Sequence, residues 1–370
     1  MKVLMISTDR KILEEGSAVR ARMVLYGTIC DELHIILASV GGRKETASIS
    51  GNVFVHPTAS LCAAFSRLSL FLSSNLISAD LVTAQDPFET GFAAWYMSKR
   101  VGARLEIQIH TDFLSPYFGR GSFINKIRVL IAGIVLPRAD GIRVVSERIA
   151  NSLGTLRLLP GANITVLPIY VDIEKIRNSQ VISDLRKKYP QFDFMILMTS
   201  RLTKEKNISL AIEAMREIIN RHPKAGLVIV GSGPEEVELK LLAKKYNLQP
   251  SIVFESWSDD VISYMKTADC FLLTSNYEGF GLSLVEAAAS DCPIISTEVG
   301  IIGELLRPEE DILACPVGDA GCILDRLERL MNSPGLAHQL SLKAQSSFKP
   351  LIMSKEDYLK KLRTAWEKCF

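Results

Sequence analysis

Short apolar runs alternate along the chain with stretches in which apolar residues recur at helical spacing. That alternation is the mark of parallel sheets built from strand–helix–strand units. In the first half, strands are expected near residues 2–8, 33–39, 52–56, 80–84, 104–110, 141–145 and 164–169. Helices are expected near 17–30, 60–74, 89–101, 123–136 and 146–154. The pattern restarts at 194–200, with further strands near 226–231, 252–255, 270–275, 293–297 and 312–316. Helices near 207–221, 234–246, 259–268, 282–290 and 319–332 separate them. The charged stretch from Asp172 to Asp193 reads as a connection. The α/β pattern therefore predicts two doubly wound, Rossmann-like domains in tandem, over residues 1–171 and 172–353. Residues 354–370 read as an amphipathic helix with Tyr358, Leu362 and Trp366 at i, i+4 and i+8. It either packs on its own domain or crosses back to brace the first.

Composition agrees with two globular domains. At 370 residues the chain exceeds what one core usually supports, and 48% hydrophobic with 23% charged residues is an ordinary globular balance. The net charge of +2 hides an asymmetry: residues 1–170 hold 18 Lys and Arg against 13 Asp and Glu, while the remainder is net acidic. Such an imbalance arises by chance, or because the first half meets an anionic acceptor or membrane surface. Seven cysteines, at 30, 62, 270, 292, 315, 322 and 369, form no CxxC pair, so neither a zinc site nor a disulfide framework is expected. The chain opens directly on a strand without a cleavage region, and no apolar run reaches bilayer length. A cytoplasmic protein is the expectation.

Ligands of open α/β sheets sit beyond the carboxyl ends of the strands, so the residues following each strand carry the argument. After the strand at 194–200 come Arg201 and Lys206, a fork-shaped and a point cation suited to a diphosphate. After 226–231 comes Gly231-Ser232-Gly233-Pro234, a tight turn into a helix. After 270–275 comes Asn276-Tyr277-Glu278-Gly279-Phe280-Gly281-Leu282, running into a helix that contains Glu286. Free amides from Phe280 to Leu282 at that helix start make an anion site. A carboxylate on either side suits hydroxyl groups at both ends of a ligand with phosphates between, as in a nucleotide-sugar. No acidic cluster follows a strand as a metal site would require, which agrees with a reading that calls for no metal and no cofactor.

The run EGFGLSLVEAAA, together with SRLTKEKN, VGSGP, CPIISTEVG and Glu304, resembles glycosyltransferase family 4, of the GT-B fold. The match runs over most of residues 194–310. The resemblance implies a donor cleft between the two domains and a retaining, metal-independent transfer of a sugar from a nucleoside diphosphate, a UDP- or GDP-sugar, to a hydroxyl acceptor. It implies that Arg201 and Lys206 hold the diphosphate, that Glu278 contacts the transferred sugar, and that Glu286 takes the ribose hydroxyls. The amides of Phe280, Gly281 and Leu282 would complete the pocket. In the first half Gly16-Ser17 is similar to the family's glycine loop facing the diphosphate, and His110, in IQIHTDF, to a histidine near the donor sugar. The catalytic set is then Glu278, His110, Arg201 and Lys206. Asp86-Pro87 either lines the acceptor cleft or makes a plain turn. The sequence departs from the family's pattern at Asp291, at Gly300-Ile301 and at Ile169-Tyr170, none of which removes an expected ligand.

Rival readings keep the fold and change the reaction, to a nucleotide-sugar epimerase or a sugar phosphorylase, or remove it, leaving an inactive nucleotide-sugar-binding scaffold. The acceptor implied is a glycan or a lipid-linked sugar of cell-surface assembly; no nucleic-acid partner is expected. Two stretches of the first half join apolar and basic residues: Leu61, Ala64, Phe65, Leu68, Phe71 and Leu72 with Arg67, and Ile127, Val129, Leu130 and Ile131 with Lys126 and Arg128. Either they are sheet-covering helices, or one lies peripherally on an anionic membrane, at the inner face of the plasma membrane.

Overall fold

The computed structural model describes residues 1–38, 45–58, 78–155 and 163–370. The chain divides into two compact units: Met1–Pro168 with Ser354–Phe370, and Ile169–Met353. The first unit holds β1 (Lys2–Ser7), β2 (Glu32–Ala38), β3 (Ala47–Ser50), β4 (Val53–Thr58), β5 (Leu81–Ala84), β6 (Arg104–Ile109), β7 (Gly141–Val144) and β8 (Asn163–Val166). They form one sheet in the order β3-β4-β2-β1-β5-β6-β7-β8. Every pairing is parallel except β3 with β4. The inner strands are continuous apolar runs because both faces are covered; Val3, Leu4, Met5, Leu33, Ile35 and Val82 are fully buried.

The helix Glu89–Val101 shows how the sequence ends its elements. Glu89 lies in its first turn, Lys99 and Arg100 in its last, and Gly102 closes it at φ 70°, in keeping with the helix dipole and the left-handed cap. The C-terminal helix Lys355–Glu367 starts at Ser354, whose hydroxyl accepts from the amide of Asp357. It buries Tyr358, Leu362 and Trp366 within the first unit. The expected helix at 60–74, with Arg67, lies outside the described residues.

The second unit holds β9 (Phe194–Thr199), β10 (Ala225–Val230), β11 (Ile252–Glu255), β12 (Cys270–Leu273), β13 (Ile294–Thr297) and β14 (Leu313–Cys315). Its sheet has the order β11-β10-β9-β12-β13-β14 and is parallel throughout. The chain moves outward from β9 to β11, then returns to the other side of β9 as β12. The order therefore reverses between β9 and β12, and a crevice opens beyond the carboxyl ends of those two strands.

Besides β3 and the short helix Pro116–Arg120, which the pattern did not predict, three features differ from the sequence expectation. The connection at 172–193 carries two short helices, Ile173–Asn178 and Leu185–Lys188, each capped by an aspartate. The helix Pro334–Ser347 had no apolar signature, since it buries only Leu340, Ser341 and Ala344. Cys315 and Cys322 are disulfide-bonded, against the expectation of no disulfide. The turn from β14 into the helix Ala320–Met331 brings their Cα atoms to 5.7 Å, within bridging range, although the spacing carries no pairing motif. Among the described residues no helix is long and apolar enough to cross a membrane.

Candidate functional site

At the β9–β12 crevice two loops are tied together by their own backbones. The loop after β9 makes a tight turn over Lys204–Lys206 and reaches Asn207 at φ 46°. Its carbonyls receive bonds from the loop after β12: the Thr274 hydroxyl on Lys206 (3.0 Å), the Asn276 amide on Glu205 (2.7 Å) and the Asn276 side-chain nitrogen on Lys204 (3.2 Å). This places the Lys206 ammonium 2.5 Å from Glu278 Oε1, and the Ser275 hydroxyl donates to the same oxygen at 2.7 Å. The two charged side chains are 17% and 13% exposed. Lys206 keeps further N–H donors, and Glu278 Oε2 keeps its lone pairs, for a ligand.

The strand-to-helix turn after Glu278 depends on two glycines. Gly281 is the N-cap of the helix Leu282–Ala289 at φ 89°, and no side chain caps that helix. The first amides of the helix are therefore left for an outside acceptor. Gly300 stands against the turn at φ 58°; a Cβ there would lie 2.5 Å from the Phe280 carbonyl oxygen and 3.2 Å from Glu278 Cβ. Phe280 is buried beneath the turn, and Leu282 is partly exposed. Glu286, one turn into the helix, is half-buried and its carboxylate makes no hydrogen bond among the described residues. Burial pushes its pKa up to about 7.

Of the cations expected at the diphosphate, Lys206 faces this crevice. Arg201 is 73% exposed and its guanidinium pairs with Glu205 at 3.4 Å. The Gly231–Pro234 loop spends its backbone on the loop after β9: Ser232 O accepts from the Leu202 amide (3.0 Å) and Leu202 O from the Glu235 amide (3.0 Å). Ser275 and Asn276 carried no role of their own in the sequence, although both lie between β12 and Glu278.

In the first unit Gly16, at φ 79°, is exposed and precedes Ser17, whose hydroxyl caps the helix Ala18–Gly27 by accepting from the Arg20 amide. His110 follows the end of β6, with Nε2 3.2 Å from Gln108 Oε1. Burial, then Arg143 and Arg22, push its pKa down to about 3. Asp86 makes a turn: its carboxylate accepts from the Phe88 amide (2.8 Å) and the Thr90 hydroxyl (2.6 Å) at the start of the helix Glu89–Val101. Among the described residues no cluster of three metal-ligating side chains occurs.

Residues 182–347 match the model of the glycosyl transferases group 1. N-acetyl-alpha-D-glucosaminyl L-malate synthase of Bacillus anthracis is 25% identical over 300 residues, 80% of this chain and 76% of that protein. Alpha-monoglucosyldiacylglycerol synthase of Streptococcus pneumoniae is 25% identical over 59% of this chain and 51% of its own length. Anabaena HepE in complex with UDP-glucose has the same two-domain GT-B fold, with a TM-score of 0.76, 18% identity, and coverage of 98% of this chain and 100% of that one.

Proposed function

Because this chain belongs to the glycosyl transferases of group 1, family 4 with the GT-B fold, we propose that it moves a sugar from a nucleoside diphosphate sugar to a hydroxyl acceptor with retention. One observation carries the reading: Lys206 and Glu278 meet at the β9–β12 crevice, beside an uncapped helix start and a Glu286 with no partner among the described residues. In this reading residues 172–353 bind the donor. Lys206, Arg201 and the amides of Phe280, Gly281 and Leu282 meet the diphosphate, whose charge grows as the bond to the anomeric carbon breaks. Glu278 holds the sugar hydroxyls, Glu286 the ribose hydroxyls, and Gly16 and His110 serve the donor from residues 1–171. Counter-charge comes from the protein, so EDTA should leave the rate unchanged. A UDP-sugar is favoured over a GDP-sugar, since HepE is solved with UDP-glucose. The test is a screen of UDP- and GDP-sugars for thermal stabilisation, followed by product analysis with and without acceptor. Product formed without acceptor, or no nucleotide-sugar binding at all, would sink the reading.

A lipid-linked acceptor is favoured by one surface. The helix Phe123–Val135 exposes Phe123, Ile124, Ile127, Leu130 and Ile134, with Phe123 at 76% and Leu130 at 69%. Phe92 and Tyr96 are also exposed on the helix Glu89–Val101, which packs against it. Lys99, Arg100 and Lys126 are exposed on the same two helices, whereas Arg128 is already paired with Glu89 at 2.9 Å. An apolar stripe among cations suits an anionic bilayer interface, at the cytoplasmic face of the plasma membrane. Flotation with anionic vesicles at low salt should carry the protein up, and Leu130→Asp with Lys126→Glu should abolish it. A wild-type protein that never floats would point to a soluble glycan acceptor.

A further inference from the structure

A chain of buried polar side chains runs through the first unit from its C-terminal helix to His110. Thr83 stands opposite Glu106 across β5 and β6, and Gln108 opposite Arg143 across β6 and β7. All four are at most 2% exposed. The helix Lys355–Glu367 closes the chain: the Tyr358 hydroxyl accepts from Arg143 Nη2 at 2.8 Å, and Trp366 Nε1 donates to Glu106 Oε2 at 3.1 Å. The Thr83 hydroxyl donates to the same glutamate oxygen at 2.6 Å.

Gln108 fits this chain in one orientation. A guanidinium has donors and no acceptor, and Arg143 Nη1 lies 3.2 Å from Gln108 Oε1, so the amide oxygen must face it. On the other side the amide nitrogen donates to Glu106 Oε2 (3.1 Å) and Thr83 Oγ1 (3.2 Å). An amide oxygen has no hydrogen to give. His110 Nε2, 3.2 Å from that same oxygen, must therefore carry one. The ring is neutral near pH 7, since burial, Arg143 and Arg22 push its pKa down to about 3. A neutral imidazole protonated at Nε2 has its lone pair on Nδ1, and here Nδ1 has no partner among the described residues.

We propose that Gln108 is a positioning residue: it locks His110 as the Nε2–H tautomer and so makes Nδ1 a hydrogen-bond acceptor for a hydroxyl of the transferred sugar. Arg143, itself held by Tyr358 of the C-terminal helix, keeps Gln108 in the orientation that does this. The role at the sugar rests on the proposed function of His110; the locking does not. A flipped Gln108 would present N–H to His110, reverse the tautomer, and turn Nδ1 into a donor.

The chain has five histidines, so ring 15N spectra of the full-length protein are assignable, with His110→Asn as the reference. Nε2 of His110 should be protonated and Nδ1 bare between about pH 6 and 8. In Gln108→Leu both tautomers should appear, and turnover should fall about 100-fold with the donor KM little changed, the scale for a misplaced catalytic group. Arg143→Lys, which keeps a donor for the amide oxygen, should retain the wild-type signals. A protonated Nδ1 in the wild type overturns the locking, and that arm needs no variant to fold. Unchanged ring signals in a folded Gln108→Leu overturn it as well. His110→Ala with wild-type turnover would instead remove the sugar from the proposal, an outcome the ring spectra distinguish from loss of the locking.

Discussion

The two units place charge at opposite ends of the same physical problem. In the first, Glu106 and Arg143 lie on central strands, sealed from solvent, and bond to Thr83, Gln108, Tyr358 and Trp366 of their own unit. In the second, Lys206 and Glu278 lie beyond strand ends, share one short contact, and keep donor and acceptor capacity to spare, while Glu286 has no partner among the described residues. Buried ionic groups with their partners in place hold elements together. Groups left incomplete at a crevice are waiting for a ligand. The first unit uses charge to seat its C-terminal helix; the second, in the function proposed above, holds charge ready for a substrate.

The largest effect that follows is on catalysis. Lys206→Ala should lower kcat/KM about 100- to 1000-fold, roughly 3–4 kcal/mol, the scale for removing one preorganised donor from developing charge. Its contact with Glu278 is short but partly solvated, so stability should fall by no more than about 1 kcal/mol. Steady-state kinetics beside a denaturant melt check both. A variant with near-normal kinetics and a large loss of stability would put Lys206 among the structural charges of the first kind.

Trp366→Phe sharpens the other side. The change removes the indole N–H that Glu106 accepts and part of a fully buried ring. Burial already pushes the Glu106 carboxyl above its usual range, and Glu106 Oε1 has no partner among the described residues, so one more lost donor should cost about 1–2 kcal/mol of stability. Turnover at saturating donor should stay within about threefold, as for a side chain away from the reacting atoms. If turnover collapsed while the melt held, the division between the units would be wrong.

Much of the second unit was legible because its chemistry follows strands in sequence. Lys206 trails β9 and Glu278 trails β12, and these strands pair directly, so two readings made separately converge in space. Arg201 was legible as a cation but its direction was not: nothing local shows that Glu205, one turn on, takes it. The interior of the first unit was harder. The charges of Glu106 and Arg143 sit on strands read as apolar, and their partners Tyr358 and Trp366 lie over 200 residues away. The C-terminal helix was legible by its period, while its polar partners were not. Asp291, one of the departures from the family's pattern, sits at φ 58°. Aspartate tolerates that region better than most side chains, and its carboxylate accepts from Gln345 at 2.7 Å on the helix Pro334–Ser347. That helix buries too few apolar residues to announce itself by pattern.

The smallest predicted effect concerns Glu286 and is resolved by pH. Burial raises its carboxyl from 4.5 to about 7 in the free protein. Ribose hydroxyls would donate to the charged form, so a bound donor lowers that pKa and its affinity depends on pH. The sign follows. Above about 7 the carboxylate is already formed and binding is full; as pH falls through 7 the donor must first expel a proton. Between about pH 7.5 and 6 the donor Kd should rise roughly fivefold to eightfold, about 1 kcal/mol. The free protein runs the other way. A carboxyl with a raised folded pKa contributes its full stability below about 4.5 and loses it as pH rises through about 7. Glu286→Gln should remove both slopes and bind the donor more weakly at pH 8, with turnover at saturation preserved. Isothermal titration with UDP across this range, beside melts of the free protein, reads the two slopes independently. A donor affinity that is flat with pH in the wild type, while the stability slope persists, would leave Glu286 a buried acid of the helix and take it out of the ribose site.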